Sequence, residues 1–385
     1  MEINIDKSNW SKVKFGDVAI QMKGTVNRDN TDLKYYVKGE HMNSEDIHIR
    51  EFGELTDEYL GPAFIRHFKK EDILYGSRRT YLKKVAVAHF EGITSNTTFV
   101  INAKEKVIDK RLIPFLMLSD RFTNHSTMHS KGSVNPYINW KDLANYEFLL
   151  PPKDQQAELA DLLWAIDDVI EKDLEVLKRL EESTKVLFNS IYKDKSLVYK
   201  KLKDVLLNTQ YGISNQLYDE GELPVLRMNN LLNGQIDFKD LKYINKSEID
   251  LENYLLKEGD ILFNRTNSFE LVGKVSLFSL DSNYTFASYL VRLKCNTDII
   301  DPRYLNLYLN SEQGKENVRQ YRSPGVNQSN ISPSNLIKLS IPVIDINNQR
   351  IISEYVYNYK AIISQMESKL SSSKSLQKSL INQIF

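Results

Sequence analysis

The residues of this chain best suited to chemistry are cations and amides gathered beside glycines, and the chemistry they suit is hydrogen bonding to base edges and phosphates. The stretch Gly76-Ser77-Arg78-Arg79-Thr80-Tyr81-Leu82-Lys83-Lys84 carries four cations in nine residues and no acid. Arg, Lys, Asn and Gln offer the paired donors and acceptors that read bases in a groove, while cations on phosphates set the register. A matched stretch, Asn264-Arg265-Thr266-Asn267-Ser268, lies in the second half of the chain. A second matched pair is His129-Ser130-Lys131-Gly132-Ser133 and Arg322-Ser323-Pro324-Gly325-Val326-Asn327-Gln328. Gly132 and Gly325 would let each turn approach another backbone closely. The candidate contacts are therefore Ser77, Arg78, Arg79, Lys83, Lys84 and Lys131, then Asn264, Arg265, Asn267, Arg322, Asn327 and Gln328. Any one of these could equally be a solvated turn residue. Recurrence of both loops at matched positions is what favours binding.

Other chemistries find less support. Glycines 24, 39, 53, 61 and 76 are too scattered to cradle a phosphate, and no GxxxxGK[ST] sequence exists. All six histidines (41, 48, 67, 89, 125 and 129) lie in the first half, which excludes a duplicated histidine-based reaction. The single Cys295 can form no intramolecular disulfide, and there is no CxxC or Cys/His set for zinc. Asn135-Pro136-Tyr137 is similar to the Asn-Pro-Pro-Tyr motif of adenine methyltransferases but lacks the second proline, and no glycine-rich loop accompanies it; a turn is the simpler reading. Formal net charge is zero. A lone chain of that charge should bind DNA feebly, because counterion release supplies much of the affinity. No apolar run approaches the ~18 residues that span a bilayer, and Met1–Trp10 shows no signal-peptide pattern. A cytoplasmic protein without membrane contact is expected.

Two diverged copies of one unit must position these loops. Lys14-Phe15-Gly16-Asp17-Val18 returns as Lys201-Leu202-Lys203-Asp204-Val205, and Glu71-Asp72-Ile73-Leu74-Tyr75 as Gly259-Asp260-Ile261-Leu262-Phe263. Asp109-Lys110-Arg111 matches Asp301-Pro302-Arg303, and Leu150-Pro151 with Gln155-Gln156 matches Ile341-Pro342 with Asn348-Gln349. Offsets drift from 187 to 193 while the order holds. Each copy mixes strand-like runs (Lys84–Ala88, Thr98–Ile101; Lys274–Phe278, Leu290–Leu293) with helices at Arg111–Asp120 and Arg303–Asn310. The fold class is α+β, with globular regions at 1–150 and 194–345.

Each copy ends in a long two-faced helix, at 151–193 and 346–385. A 4/3 apolar spacing, the seam of a coiled coil, runs through Leu159, Leu163, Ile166, Ile170, Asp173, Leu177, Leu180, Thr184, Leu187 and Ile191. Adding 193 gives Ile352, Val356, Tyr359, Ile363, Met366, Leu370, Ser373, Gln377, Leu380 and Ile384. Residues 154–198 carry 6 cations against 11 acids, and residues 346–385 carry 5 against 2, so opposite charge favours pairing of the helices with each other. Connectivity makes the pair antiparallel: the first helix delivers the chain to the second globular region, and the second must run back. Two heads at opposite ends of a spacer, related by an approximate two-fold axis, follow as an expectation, with Phe385 near the first head. Asp173, opposite a Ser/Thr/Gln-rich part of the other helix's seam, is expected to be a polar interruption that helps fix register.

The order of an Asp-Ile-Leu strand, polar loop, Val-rich strands, helix and glycine loop, then Leu149-Leu150-Pro151-Pro152-Lys153-Asp154-Gln155-Gln156 leading into a long helix, occurs twice. It resembles the specificity subunit of type I restriction–modification systems over essentially the whole chain. The second copy departs, since Ile341-Pro342-Val343-Ile344-Asp345-Ile346-Asn347-Asn348-Gln349 keeps one proline and looks to have inserted residues. The resemblance implies two target-recognition domains, each reading half of a split sequence in double-stranded DNA. It implies a helical spacer on which two modification (methyltransferase) subunits dock, joined by restriction subunits, with Leu159, Leu163, Ile166, Ile170, Leu177, Leu180, Ile352, Val356, Ile363, Leu370 and Leu380 as the docking-helix residues. The halves would be centred on the order of one helical turn apart, ~10 bp. No catalysis is implied for the chain itself, and S-adenosylmethionine, ATP and Mg are expected on its partners. An adaptor whose helices form an oligomerisation stalk, and an enzyme with its own active site, remain the alternatives.

Overall fold

The computed structural model describes residues 5–27, 30–56, 60–192, 197–268, 272–322 and 329–385. By packing, the chain divides into two compact units, one of residues 1–175 with 367–385 and one of residues 176–366. Each long helix is thus shared out at its middle, half to either unit.

In the first unit, β1 (Ser11–Lys14) pairs antiparallel with β10 (Glu147–Leu150). The main sheet has the order β2 (Ala19–Met22), β9 (Thr98–Ala103), β6 (Ile73–Gly76), β7 (Val85–Val87), all antiparallel. A second sheet runs β4 (Gly53–Glu54), β3 (Tyr35–Val37), β8 (Gly92–Ser95), β5 (Phe64–Phe68), with β3 parallel to β8. Helices α1 (Phe15–Val18), α2 (Ile113–Leu118), α3 (Asp120–Met128) and α4 (Trp140–Ala144) contribute to the core that also takes the first half of α5 (Lys153–Ile191).

The second unit repeats this wiring. β11 (Val198–Lys201) pairs with β23 (Ser340–Val343), and the main sheet runs β12 (Leu206–Tyr211), β21 (Leu290–Cys295), β17 (Ile261–Asn264), β19 (Val275–Leu277), again antiparallel throughout. The second sheet is β16 (Lys242–Ile244), β13 (Leu223–Leu226), β20 (Thr285–Phe286), with β13 parallel to β20. Two short ladders, β14 (Leu231–Leu232) with β15 (Gln235–Ile236) and β18 (Thr266–Asn267) with β22 (Ser329–Asn330), complete the strands. The helices are α6 (Leu251–Tyr254), α7 (Pro302–Asn310), α8 (Glu312–Arg319), α9 (Pro333–Leu336) and α10 (Ile346–Ile384). Strand for strand, β2-β9-β6-β7 maps onto β12-β21-β17-β19, so the duplication inferred from weak matches is a duplication of topology.

Three details of the repeat differ from the sequence reading. The expected helix Arg111–Asp120 stops at Ser119, whose hydroxyl donates to Leu116 O (2.8 Å) and accepts from Phe122 N (3.3 Å), starting α3. Ser311 does the same between α7 and α8, bonding Tyr308 O (2.6 Å) and Gly314 N (3.0 Å). Pro342 is not the counterpart of Pro151. It sits inside β23, paired with Tyr199 on a two-stranded ladder where a missing N–H is tolerated, and no residues are inserted. Helices α5 and α10 each span 39 residues and start 193 apart. Asp345 takes the place of Pro152 and caps α10, accepting from Asn347 N and Asn348 N (both 3.1 Å).

The Gln-Gln motif acts as a clasp. Buried Gln156 accepts from Asp109 N (2.7 Å) and donates to Pro151 O (2.8 Å) and Val107 O (3.2 Å). Buried Gln349 accepts from Asp301 N (2.8 Å) and donates to Ile344 O (2.8 Å) and Ile299 O (2.9 Å). One amide side chain per copy ties the start of the long helix to the start of the helical stretch that begins at Asp109 or Asp301.

The seam positions are all buried or half-buried in both helices. In the first unit Lys369 bonds Asp173 (2.8 Å) and Gln377 bonds Asp167 (3.2 Å), so residue numbers rise on one helix as they fall on the other and the halves are antiparallel. Asp173 therefore meets a lysine from outside the seam, not the Ser/Thr/Gln-rich part of the other helix. In the second unit Ile191 and Ile352 pack into one core. Leu380, Ile381, Ile384 and Phe385 are buried in the core of the first unit, and Lys7 Nζ donates to Ile384 O (2.8 Å).

Candidate nucleic-acid interface

In the first unit the chain leaves β6 at Gly76 and is at once laced to the loop before α4. Arg79 N donates to Pro136 O (2.7 Å), Ile138 N to Ser77 O (2.9 Å), and Lys131 and Tyr137 exchange both backbone bonds (2.8 and 2.9 Å). The two candidate loops thus form one irregular ladder. Gly132, at φ +92°, makes the turn that returns the strand. Arg79 Nε and Nη2 both reach Asn135 Oδ1 (3.1 and 2.7 Å), which holds that guanidinium at the ladder's surface. Arg78, Lys131, Val134 and Tyr137 are exposed along it, as is Tyr81.

In its described residues the second unit builds the matching part of this ladder, opposite Arg265–Asn267, from different side chains. β18 pairs with β22 in the register Thr266 with Asn330 and Asn267 with Ser329, and Ile331 N donates to Arg265 O (2.9 Å), as Ile138 does to Ser77. Arg265 lies over the Tyr211 ring at 4.8 Å and its backbone N–H bonds Tyr289 O (3.1 Å). Tyr211 and Tyr289 are exposed. A stacked arginine beside open aromatic faces suits contact with bases and sugars.

Several candidates prove to be structural. Ser77 is 4% exposed and its hydroxyl donates to Thr97 O (2.6 Å). Lys83 is 8% exposed and its ammonium is enclosed by Asp120 and Glu45. Lys84 bonds Gly39 O. Asn264 is fully buried and its Oδ1 accepts from Thr266 N (3.3 Å). Ser77, Lys83 and Asn264 are buried at the ladder's base and turned away from a ligand, while half-buried Lys84 is tied to a backbone carbonyl. Arg322 is half-buried, with Nη2 on Val272 O (3.3 Å). Asn327 and Gln328 lie outside the described residues. The outward set is Arg78, Arg79, Lys131, Arg265 and Asn267. Tyr81, Tyr137, Tyr211 and Tyr289 join it; Tyr81 and Tyr137 lie in stretches already singled out for other residues, and only the high tyrosine content, 21 residues, hinted at the other two.

The docking-helix residues also need correction. Leu163, Ile170, Val356, Leu370 and Leu380 are buried, and Leu159, Ile166, Leu177, Leu180, Ile352 and Ile363 half-buried, in packing within this chain. The seam is consumed by the helices and heads themselves. Beside it, a second apolar stripe stays open: Leu162 and Val169 on α5, and Tyr355 and Ile362 on α10, 40%, 45%, 51% and 44% exposed. These positions are also 193 apart.

Among the described residues no group of three or more His, Cys, Asp or Glu could hold a metal. Burial pushes the Cys295 thiol up to about 12, with Asp301 and Asp260 adding to it, so this thiol is no nucleophile. His125 and His129 stack at 4.2 Å, and both bond backbone carbonyls. No helix among the described residues is long and apolar enough to cross a membrane.

Comparison with known proteins agrees with this geometry. The family described as "Type I restriction modification DNA specificity domain" matches twice, over residues 7–182 and 195–372. The EcoDI specificity subunit of Escherichia coli is 29% identical over 174 residues, 43% of this chain and 37% of that protein. The EcoKI specificity subunit of Escherichia coli K12 is 23% identical over 304 residues, 72% of this chain and 62% of that one. The alignments therefore span between about one third and two thirds of these relatives. The type I S subunit from M. genitalium has a similar fold, with TM-score 0.63 at 15% identity over 100% of this chain and 98% of that chain. A chain from a structure of type I restriction–modification complex assembly gives TM-score 0.57 at 17% identity, covering 97% of each. With both of its units matched by the same family, the chain belongs to the type I restriction–modification DNA specificity domain family.

Proposed function

We propose that this chain is the sequence-reading subunit of a type I restriction–modification complex, that each unit reads half of a gapped site in double-stranded DNA, and that the chain itself catalyses nothing. The observation that carries the reading is the duplicated ladder. Where both units are described, at Ser77–Arg79 with Pro136–Ile138 and at Arg265–Asn267 with Ser329–Ile331, the backbone pairing matches, while Arg78 and Arg79 in one are replaced by Thr266 and Asn267 in the other. A shared frame with different donors and acceptors is what two different half-sites require.

Partners follow from the open stripe. Leu162 and Val169 recur as Tyr355 and Ile362, offering the same apolar footing once in each unit. Two copies of one methyltransferase subunit would dock there, with restriction subunits joining them. S-adenosylmethionine, ATP and Mg²⁺ would be held by those subunits, and this chain would bind no cofactor.

The test is methylome sequencing of the host with and without the gene, then with Asn267→Ala. Loss of adenine methylation at a bipartite motif on deletion, and relaxation of one half of the motif in the variant, is expected. A continuous motif, or a methylome indifferent to deletion, would sink the reading.

A further inference from the structure

The second unit has a charged cavity that the base-reading ladder does not use. It encloses about 300 Å³ and is lined by Lys274, Lys315, Arg319 and Arg322 with Asn233 and Asn310. Among the described residues no carboxylate lines it. Lys274 and Lys315 make no side-chain hydrogen bond or ion pair among the described residues. Arg319 is held by Glu316 (2.9 Å), one turn along α8, and still faces the cavity. Burial, and Arg319 beside it, hold the Arg322 guanidinium below its ordinary range. Four cations line one small space while Glu316, which bonds Arg319 and acts on Arg322, offsets one charge; the balance among the described residues is positive, a potential that an anion would relieve.

Placement narrows the anion. Asn264 N donates to Lys274 O and Gly273 N to Asn264 O (both 2.8 Å), so the cavity wall is the strand beside the one that ends in the ladder. Gly273, at φ +91°, lets the wall pass close to α8; a Cβ there would fall 2.6 Å from Val318 Cγ1. The described residues of the first unit hold nothing equivalent. The positions 192 residues earlier than Lys315, Arg319 and Arg322 are Thr123, Thr127 and Ser130, and Lys84 already bonds Gly39 O.

We propose that this cavity takes one backbone phosphate of the DNA strand flanking the half-site read by the second unit, with Lys274, Lys315, Arg319 and Arg322 as its clamp. The inference rests on the DNA-reading function proposed above. It adds an anchor that sets register without reading sequence, and makes the two units unequal in how they grip DNA.

The experiment uses the full chain bound to its methyltransferase partner and a fluorescent duplex carrying the mapped site. Binding is titrated against KCl for the wild type, for K315Q/R319Q, and for K200Q/K203Q, an equal loss of exposed charge elsewhere in the unit. Removing the clamp should lower the slope of log K against log[salt] by roughly 1, the yield of one phosphate contact. Affinity should fall about equally for the cognate duplex and for one with altered bases in that half-site, leaving the discrimination ratio unchanged. Hydrogen exchange across α8 confirms that the variant is folded. An unchanged slope, or an equal change in K200Q/K203Q, overturns the clamp. So does saturable binding of inorganic phosphate at constant ionic strength that the clamp variant loses while its DNA slope stays put, which would mark a free-anion site. A wild-type complex that binds DNA but does not distinguish the duplexes refutes the parent reading; one that distinguishes them while slopes coincide refutes only the clamp.

Discussion

Gln156→Ala should destabilise the first unit by an amount set by three bonds. The substitution removes the acceptor of Asp109 N–H and the donor to Pro151 O and Val107 O, at a site 1% exposed. An orphaned buried donor costs about 1–3 kcal/mol. The carbonyls tolerate loss of one partner better, but the vacated volume adds about 1 kcal/mol more. A total of about 3 kcal/mol is expected, which at an m-value of about 2–3 kcal/mol/M moves the urea midpoint down by roughly 1 M. The assay is tryptophan fluorescence, because Trp10, Trp140 and Trp164 all lie in this unit and Trp10 Nε1 donates to the adjoining Gln155 (2.9 Å). Gln349→Ala makes the matching change in the second unit and should cost the same, read by hydrogen exchange in β17 and β21. Gln156→Glu sharpens the argument. Its carboxylate would face two carbonyl oxygens, so burial and repulsion raise its folded-state pKa and favour the neutral acid. That variant should be weakest at neutral pH and recover as pH falls through the raised value. A loss below about 1 kcal/mol for both alanine variants, smaller than the cost of one orphaned donor, would refute the clasp.

Two further outcomes follow from particular side chains. Burial opposes the charge on His48, but Asp167 at 2.7 Å and Glu171 at 3.8 Å overcome it and raise its pKa above 6.5. The tie between this segment and α5 is therefore fully present below the unfolded value and lost as pH rises through the folded one. Protection of the Ile47–Arg50 amides, taken relative to their intrinsic exchange rates, should fall across that window, and His48→Gln should flatten the fall; protection in the wild type that does not change with pH would contradict it. Lys83 and Arg78 should separate cleanly, since one is enclosed by Asp120 and Glu45 and the other is exposed. Lys83→Met should lower stability and leave the salt slope of DNA binding alone, whereas Arg78→Gln should lower the slope by about 1 with stability intact; the reverse pattern would return Lys83 to the interface.

The repeat and the seam were legible because both rest on periodicity, which local mutations do not erase. Leu163 and Val356 keep their seam positions whatever residues surround them. Alignment between the copies was legible only where offsets were pinned. Pro342 looked like Pro151 by chemistry, while the bonds of Gln156 and Gln349 show the true offset of 193. The loops were found, and their lacing was not, because pairing between residues 77–79 and 136–138 is long-range. Lys83 was misread for a local reason. Arg79 and Lys83 are both left-handed, at φ 49° and 48°, on either side of a turn at Thr80–Leu82, which swings the lysine inward. No composition rule announces that. The tyrosines at the interface were missed because an exposed ring and a core ring look alike in a sequence.

The burial of residues 380–385 in the first unit bears on how the protein is made. The second unit is one continuous stretch, 176–366, inserted into a first unit that needs both 1–175 and 367–385. Domains commonly fold in the order they leave the ribosome. Here the first unit, though synthesised first, stays unsealed around Phe148 and Leu150 until Leu380, Ile381, Ile384 and Phe385 arrive. The later-made unit can close ahead of it. A frameshift that replaced only residues 380–385 would thus damage the half of the protein that the ribosome makes first.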